Sequence, residues 1–502
     1  MRVACQRLPL VTISRRLSQV AELPREDFRP VIGLEVHVQL NTRSKLFSRA
    51  SCSDDAAPNS QVSAFDMASP GTLPVLNKRC VMEALRLAVL LNCEIPERCR
   101  FDRKHYFYAD MPAGYQITQT DQPVARNGRF KFSVYGDGVP THNKEVRITQ
   151  LQLEQDSGKT IHYRSSSLID LNRAGAPLVE IVSEPDFSTA LEAACFVQQL
   201  RLLLIHHNIC RGEMHKGHLR VDANVSLSHE GRKGVRTEVK NINSLRHLRT
   251  AINFEINRQY EVLSSGGTVV NETRTCDEFG RTLSMRDKEE VTDYRFVPEP
   301  NLPFLRIRPE WVTDCTASVS SVPHHVRYQM LGFDARRAVY FAESPSLSRF
   351  VDRCSDRVHS VGAELFDAWL GELKTIMQRS KAVYPPEEPA FAEQFMTIVE
   401  LYGSGRITKL RALETLRAFV NDVQDAEKLF EANNLWRITE PEVIERMLDE
   451  VLAKNQKVFE KARAGHAKSI TKLRALLVDH SNKRIEIDQV EEAIRVKLDR
   501  IS

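Results

Sequence analysis

The stretch Ile32-Gly-Leu-Glu-Val-His-Val-Gln-Leu40 alternates between apolar and polar side chains. Every even position is apolar, whereas Glu35, His37 and Gln39 point the other way. Because side chains alternate across a strand, this pattern predicts a β-strand with one packed face and one polar face. A glutamate and a histidine two residues apart suit a hard divalent cation. A solvated strand face explains the same pattern equally well.

The same alternation recurs in residues 218–227 and 235–240. The polar positions are Arg220, Asp222, Asn224 and Ser226 in the first segment, and Arg236, Glu238 and Lys240 in the second. An exposed sheet more often mixes its charges with Thr and Lys, so this density of Asp, Asn and Arg favours a functional face.

Two further segments carry acids on strand-like patterns. Between residues 146 and 153 the apolar positions switch from even to odd, which predicts a β-bulge near Thr149. Beyond it Gln152 and Glu154 share a face with Gln150, and Asp156 lies at the end. Glu180 lies inside an otherwise apolar strand pattern, and a buried carboxylate needs a cation or hydrogen-bond donors.

Two loops suggest ligand contacts. Tyr106 to Gln116 concentrates aromatic and polar groups around a Pro/Gly turn, which is typical either of a base-stacking loop or of an aromatic core plug. Ser157-Gly-Lys-Thr160 resembles the end of a phosphate loop, but no glycine lies five positions before Gly158. A P-loop is therefore excluded.

The length of 502 residues predicts several domains, of which we expect three. Strand and turn patterns dominate residues 28–305, which predicts an α+β domain, and helical periodicity dominates 306–436. A helical tail is predicted for 437–502, opening at a capping box from Thr439 to Glu442.

Composition limits the cellular setting. The ten cysteines show no metal-binding spacing, which favours a reducing compartment, and no long apolar run predicts a membrane span. Residues 1–27 carry spaced arginines and no acid before Glu22, a transit-peptide composition that predicts the mitochondrial matrix; an unaddressed tail is the alternative. The net charge of only +4 means that any nucleic-acid contact must use local basic patches.

In its motifs the chain resembles the B-type subunit of glutamyl-tRNA(Gln) amidotransferase. The matching stretches are 32–40, 44–48, 70–77, 101–108, 170–175, 180–186, 220–226, 238–244 and 293–296. The resemblance implies a cradle-shaped α+β domain, then an all-helical domain, then a small helical tail that contacts tRNA.

The resemblance also implies the reaction and the partners. ATP and Mg²⁺ are expected for phosphorylation of the glutamate side chain on Glu-tRNA(Gln), and ammonia then gives Gln-tRNA(Gln). The ammonia is expected from an A-type amidase subunit, braced by a small C-type subunit.

Carried onto this chain, the resemblance assigns roles to particular residues. His37, Glu154 and Glu180 are expected to hold the metal, with Glu35 as a fourth or supporting group. The expected phosphate or carboxylate clamps are Lys45, Arg173, Arg220 and Lys240. Tyr106, Tyr108 and Gln116 are expected to hold the aminoacyl end.

Two departures from the bacterial pattern stand out. Bacterial members commonly read His-Leu-Glu-Glu-Asp where this chain has Gln152-Leu-Glu-Gln-Asp156, so Gln155 supplies no second charge and a smaller ligand set is expected. Only Cys52 lies where some bacterial members carry a four-cysteine zinc site, so no zinc is expected.

Alternative functions remain open from the sequence. The neutral Gln155 makes a non-catalytic RNA-binding scaffold conceivable, and a ligase using free ammonia is a third possibility. The tail matches the family less well than the cradle. Its basic positions suit either RNA phosphates or a solvated helix face. They are Lys454, Lys457, Lys461, Arg463, Lys468 and Lys472.

Overall fold

The computed structural model describes residues 27–229, 232–285 and 294–501. The chain divides into two compact units, the first ending at Pro323 and the second beginning at His324. The predicted transit peptide, 1–27, lies outside the described residues except for Asp27, and so does Asp293 of the last matching motif.

The first unit is built on an eight-stranded sheet. The strands of this unit are β1 (Phe28–Gln39), β2 (Arg98–Cys99), β3 (Asp102–His105), β4 (Tyr115–Thr118), β5 (Ala125–Gly136), β6 (Val139–Gln155), β7 (Lys159–Tyr163), β8 (Ser166–Asp170), β9 (Pro177–Ser183), β10 (Leu219–His229), β11 (Thr237–Ile242), β12 (Thr273–Cys276), β13 (Thr282–Ser284), β14 (Val297–Pro298) and β15 (Leu305–Arg306). The order of strands in the large sheet is β13-β12-β11-β10-β1-β9-β6-β5.

The opening strand lies in the middle of this sheet. β1 pairs antiparallel with β10 on one side and with β9 on the other. Its apolar face is completely buried, with Leu34, Val36 and Val38 each at most 1% exposed. The alternation seen in the sequence therefore predicts this strand and its two faces correctly.

The described residues of the first unit also form four α-helices and a short 3₁₀ helix, Met214–Lys216. The α-helices are α1 (Lys78–Leu90), α2 (Ala190–His206), α3 (Leu245–Ser264) and α4 (Pro309–Ser318). Helices α1, α2 and α3 pack against strands of the large sheet, and their apolar residues form one core with the apolar face of β1. Helix α4 packs on α1 and adds Cys315 to that core, so the first unit continues beyond residue 305.

A bulge sets which residues of β6 face the site. Ile148 pairs with Ser183 while Gln150 already pairs with Val182, so one residue, Thr149, is skipped. This confirms the bulge predicted from the sequence. Two smaller sheets, β14-β3-β4 and β15-β2, and the hairpin β7-β8 complete the unit.

The second unit is helical throughout its described residues. Its helices are α5 (His324–Met330), α6 (Ala335–Glu343), α7 (Pro345–Val361), α8 (Ala363–Arg379), α9 (Pro389–Gly403), α10 (Lys409–Phe419), α11 (Ala426–Ala432), α12 (Pro441–Lys454), α13 (Gln456–Arg463), α14 (Ala467–His480) and α15 (Ile487–Ile501). They enclose two apolar clusters, one between Tyr328 and Phe430 and the other between Ile438 and Ile494.

The capping box predicted at Thr439 is wrong. The N-cap of α12 is Glu440, and its side chain makes no capping hydrogen bond. Pro441 explains the shift, because its fixed backbone angle and missing N–H place it at the first helical position. The α+β fold followed by helical parts is confirmed, and no described helix is both long and apolar enough to cross a membrane.

Candidate active site

The polar face of the large sheet carries a row of functional side chains across four adjacent strands. Gln152 on β6 pairs with Glu180 on β9, Glu180 pairs with His37 on β1, and His37 pairs with Arg220 on β10. Residues directly opposite one another on neighbouring strands have side chains in contact range. The antiparallel register therefore assembles this row.

His37, Glu154 and Glu180 form what we call the central triad. Each offers one ligand atom, and these three atoms all lie within 4.8 Å of one another. Glu154 is 3% exposed, and its carboxylate lies 3.0 Å from His37 Nδ1 and accepts a 3.3 Å hydrogen bond from the hydroxyl of Thr118. The three metal ligands expected from the resemblance thus converge.

The protonation of the central triad reflects crowded negative charge. Burial, followed by the charge of Glu154, raises the pKa of Glu180 to about 7. Burial alone lowers the pKa of His37, but the charge of Glu180 and contacts with Asp222 and Glu154 outweigh it, and the net pKa lies well above the usual value. Burial and the neighbouring Glu154 thus disfavour the charged form of Glu180, which is the environment that a bound cation relieves.

Glu35 belongs to a second group, which we call the lateral triad, with Asp222 and Glu238. Lys240 already neutralises part of it, lying 3.3 Å from Asp222 and 2.9 Å from Glu238. Asn224 donates a 2.9 Å hydrogen bond to Glu35.

The neighbouring charges favour the ionised forms of Asp222 and Lys240. Burial opposes ionisation of Asp222, but His37 and Lys240 lower its pKa below the usual range. Burial likewise opposes the charge of Lys240, and Asp222 with Glu238 raises its pKa above the usual range. His37 Nε2 lies 3.8 Å from Asp222 and links the two triads.

Two arginines flank a single buried carboxylate beside the central triad. Asp156 is 3.0 Å from Arg220 and 3.4 Å from Arg173. Besides Asp156, the charges of Glu154 and Asp222 also act on Arg220, but its buried Nε has no hydrogen-bond partner among the described residues. This arginine pair can therefore take an additional anion.

Gln152 orients the carboxylate of Glu180. Its amide nitrogen donates a hydrogen bond to Glu180 Oε2, while its amide oxygen accepts a 2.8 Å hydrogen bond from Gln150. A supporting hydrogen bond of this kind fixes the orientation of a metal-ligating carboxylate. Gln152 occupies the position where bacterial members commonly have histidine.

Gln155 makes its hydrogen bonds to residues outside the central triad. Its side-chain oxygen accepts a 3.0 Å hydrogen bond from the backbone N–H of Ile117, and its backbone carbonyl accepts one from Gln116. Alternation along β6 gives Glu154 and Gln155 opposite orientations. The hydrogen bonds of Gln155 thus lie outside the central triad, and the smaller ligand set expected from the sequence stays a prediction.

Comparison with known proteins places the chain in a family. Residues 30–313 match the model described as GatB/GatE catalytic domain, and residues 355–498 match the one described as GatB domain. The chain is 40% identical over 492 residues to the B-type subunit of mitochondrial glutamyl-tRNA(Gln) amidotransferase of Danio rerio, a match that covers 91% of this chain and 86% of that protein. The chain belongs to the GatB family of amidotransferase subunits.

Other members of the family match over nearly their whole length. The mitochondrial protein of Drosophila melanogaster is 36% identical, with 95% of this chain and 97% of that protein covered. The B-type subunit of the aspartyl/glutamyl-tRNA(Asn/Gln) amidotransferase of Azoarcus sp. is 37% identical, with 95% of this chain and all of that protein covered. The mitochondrial names of the animal relatives support a mitochondrial location for this chain.

The aromatic loop lies beside the lateral triad. The rings of Tyr106 and Tyr108 are 4.5 Å apart, and Phe107 is 83% exposed. Burial, followed by the charge of Asp110, raises the pKa of Tyr106, while the nearby charge of Lys240 acts in the opposite direction. The loop is therefore neither a core plug nor remote from the polar face, whereas Gln116 is engaged with the backbone of β6.

Lys45 has a different environment from the other expected clamps. Its side chain is fully buried, and its ammonium donates hydrogen bonds to Asp66 at 3.1 Å and to the carbonyl of Leu171 at 3.3 Å. Arg173 follows two residues after Leu171. Lys45 thus braces the loop that presents Arg173 and does not itself reach the triads.

The sequence alone assigned no role to several residues of the site. These are Thr118, Gln152, Asp156, Asp222 and Glu238. All except Thr118 were visible as polar positions on alternating strands. Their grouping depends on strand order, which periodicity does not contain.

Proposed function

We propose that this chain is the activating subunit of a mitochondrial tRNA-dependent amidotransferase that converts Glu-tRNA(Gln) to Gln-tRNA(Gln). The convergence of His37, Glu154 and Glu180 next to the arginine pair carries the proposal. Acids that hold a cation and arginines that hold anions are what phosphorylation of a carboxylate requires.

The reaction has two steps, phosphorylation of the carboxylate and then its amidation. A side-chain oxygen of the tRNA-bound glutamate forms a bond to the γ-phosphorus of ATP, and the bond from that phosphorus to the β,γ-bridging oxygen breaks to release ADP. Ammonia then forms a C–N bond to the acyl carbon, the C–O bond to phosphate breaks, and phosphate leaves while the amide nitrogen loses a proton to solvent.

The residues fit a divalent cation such as Mg²⁺. His37, Glu154 and Glu180 would hold it, with Glu35 on the adjoining lateral triad. When bound, the cation supplies charge neutralisation for the phosphate oxygens of ATP. The hydrogen bond from Gln152 orients the carboxylate of Glu180 toward the site, and the one from Thr118 orients the carboxylate of Glu154.

The basic residues divide into two roles. Arg173 and Arg220 would hold phosphate or the substrate carboxylate, since both lie at Asp156 and the buried Nε of Arg220 has no hydrogen-bond partner among the described residues. Lys240 would balance the lateral triad, because two carboxylates already engage its ammonium. Neither role requires a protein nucleophile.

The remaining assignments concern substrate and partners. Tyr106, Tyr108 and Gln116 would line the path of the aminoacyl end, and the helical tail, 437–502, would contact the tRNA. Ammonia would come from an A-type amidase subunit braced by a small C-type subunit, in the mitochondrial matrix. The relatives are named as one subunit of a larger enzyme, which supports this assembly.

A reconstituted complex with Glu180→Ala tests the proposal. The wild-type complex is expected to convert Glu-tRNA(Gln) to Gln-tRNA(Gln) in an ATP-dependent manner, and the variant is expected to lose this conversion while glutamine hydrolysis continues. Glu145→Ala is the matched control, because Glu145 lies exposed on β6 and pairs with Arg129 away from the triads.

Each alternative function has its own result. Wild-type rates in Glu180→Ala would refute the metal assignment. A wild-type complex that binds tRNA but makes no Gln-tRNA would favour the scaffold. Full activity of this chain without the amidase subunit, on free ammonia, would favour an independent ligase.

A further inference from the structure

The hairpin formed by β7 and β8 projects from the first unit without covering any core. Its strands pair only with each other, and every residue from Ile161 to Leu168 is exposed. An isolated two-stranded hairpin is marginally stable in water by itself. Its retention as an ordered projection therefore calls for a function of its exposed surface.

The base of this hairpin is fixed to the arginine pair of the candidate active site. Arg173 donates a 2.7 Å hydrogen bond to the carbonyl of Gly158, one residue before β7. At the other strand, Asp170 accepts a 3.0 Å hydrogen bond from the backbone of Asn59. The hairpin therefore starts from the anion-binding part of the site.

One face of the hairpin is apolar and aromatic. Ile161 and Leu168 lie directly opposite each other and are 43% and 55% exposed. Tyr163, two residues further on the same face, is 55% exposed. The guanidinium of Arg164 lies 5.3 Å from the centre of the Tyr163 ring. The hairpin thus ends in an exposed tyrosine–arginine pair.

The charges of the hairpin separate between its base and its tip. At the base, Lys159 lies opposite Asp170, and between residues 160 and 169 Arg164 is the single Lys, Arg, Asp or Glu. Arg164 has a backbone φ of 51°, a left-handed turn conformation that Gly or Asn adopts with less strain.

We propose that this hairpin binds the acceptor end of the tRNA substrate. The inference rests on the proposed function and assigns the binding of the tRNA acceptor end to this hairpin. Arg164 contacts a phosphate, and the Tyr163 ring stacks on an unpaired base, the combination with which proteins bind single-stranded RNA. A strand rises about 3.3 Å per residue, so the tip of the hairpin at Arg164 lies roughly 17 Å from its base at Lys159.

The double variant Tyr163→Ala/Arg164→Ala tests the inference in the full complex co-expressed with its partner subunits. The matched control is Phe279→Ala/Arg281→Ala, which removes another exposed aromatic–arginine pair with the same 5.3 Å separation, on a turn where Asp277 pairs with the arginine. The Kd for uncharged tRNA(Gln) is measured at several salt concentrations, together with KM for Glu-tRNA(Gln) and for ATP.

The hairpin variant is expected to raise the Kd and the KM for tRNA about tenfold, against less than about twofold for the control. The slope of log affinity against log salt should fall by about one for the lost phosphate contact. The KM for ATP should not change.

Three results would contradict one or both proposals. A tRNA Kd equal to that of the control would overturn the hairpin assignment. A complex that dissociates in gel filtration while this chain keeps its tRNA affinity would show that the hairpin binds a protein partner instead. Normal hairpin-dependent tRNA binding without any Gln-tRNA formation would refute the proposed function but support the hairpin.

Discussion

Glu180 lies directly opposite His37 on the neighbouring antiparallel strand, in the middle of the large sheet. The position is unfavourable for an acid, since burial and the charge of Glu154 raise the pKa of Glu180 to about 7. A carboxylate held there without a cation costs stability. The pair therefore indicates a site arranged for a ligand rather than for the stability of the fold.

The first prediction separates stability from activity at this position. Glu180→Gln keeps the shape of the side chain but removes its charge, so the cation-free protein should melt at a higher temperature than wild type at pH 8. ATP-dependent amidation should fall at least about 100-fold, since the several kcal/mol supplied by a bound cation are lost. Thermal melts without divalent cation and a Gln-tRNA assay measure the two effects. A lower melting temperature would contradict the account of Glu180.

The second prediction concerns the hydrogen bond from Gln152 to Glu180. Gln152→Leu should raise the Mg²⁺ concentration needed for half-maximal rate about 10- to 100-fold, because the ligating carboxylate loses its orienting donor. At saturating Mg²⁺ the rate should recover most of its wild-type value. Gln152→His restores a donor, so the Mg²⁺ concentration needed for half-maximal rate should return toward the wild-type value.

Gln155→Glu is the matched control for this prediction. The side-chain oxygen of residue 155 accepts a hydrogen bond from Ile117, and a glutamate can accept the same bond. The cation requirement should therefore stay within about twofold of wild type. If Gln155→Glu greatly lowered the Mg²⁺ concentration needed for half-maximal rate, residue 155 would reach the cation.

The sequence predicts which residues lie on the polar face of a strand better than it predicts which residues of other strands they contact. Alternation identified β1 and the bulge at Thr149, and these local features place Glu35, His37 and Glu154 on the functional face. The separation of Glu35 from His37 into two triads was not predicted, because it arises from the pairing of β1 with β10. Register between distant strands follows from the whole sheet and not from either strand alone.

Burial of charge was the other feature that periodicity missed. The resemblance predicts Lys45 as a phosphate or carboxylate clamp, yet its side chain is fully buried with Asp66 as its partner. Only the packing of the loops around residues 66 and 171 encloses it. A single sequence gives the residue type and its local pattern, but not which loop covers it.

The third prediction tests whether Lys45 acts through structure. Lys45→Met should destabilise the fold by about 3–5 kcal/mol, because Asp66 is left as an unpaired buried charge. Lys45→Met/Asp66→Asn should recover most of that loss. Urea unfolding measures both, and the KM for ATP of the double variant should stay near wild type. A double variant that is stable yet has lost ATP binding would instead make Lys45 a direct clamp.

The last prediction is a pH dependence located away from the triads. Burial, followed by the charges of His206 and Arg86, lowers the pKa of His207 to about 4. The unfolded chain, with a histidine pKa near 6.5, then binds more protons than the folded chain between about pH 4 and 6.5. Stability from this group is therefore complete above pH 6.5 and is lost as the pH falls toward 4.

The loss should be roughly 1–2 kcal/mol, since solvent near the surface screens part of the charge. His207→Leu removes the proton site together with a buried Nε2 that has no hydrogen-bond partner among the described residues. Melting temperatures from pH 7.5 to 5 should therefore fall less steeply in His207→Leu than in wild type. The exposed His142→Leu serves as control and should keep the wild-type slope. Equal slopes in all three proteins would place the acid sensitivity in another group.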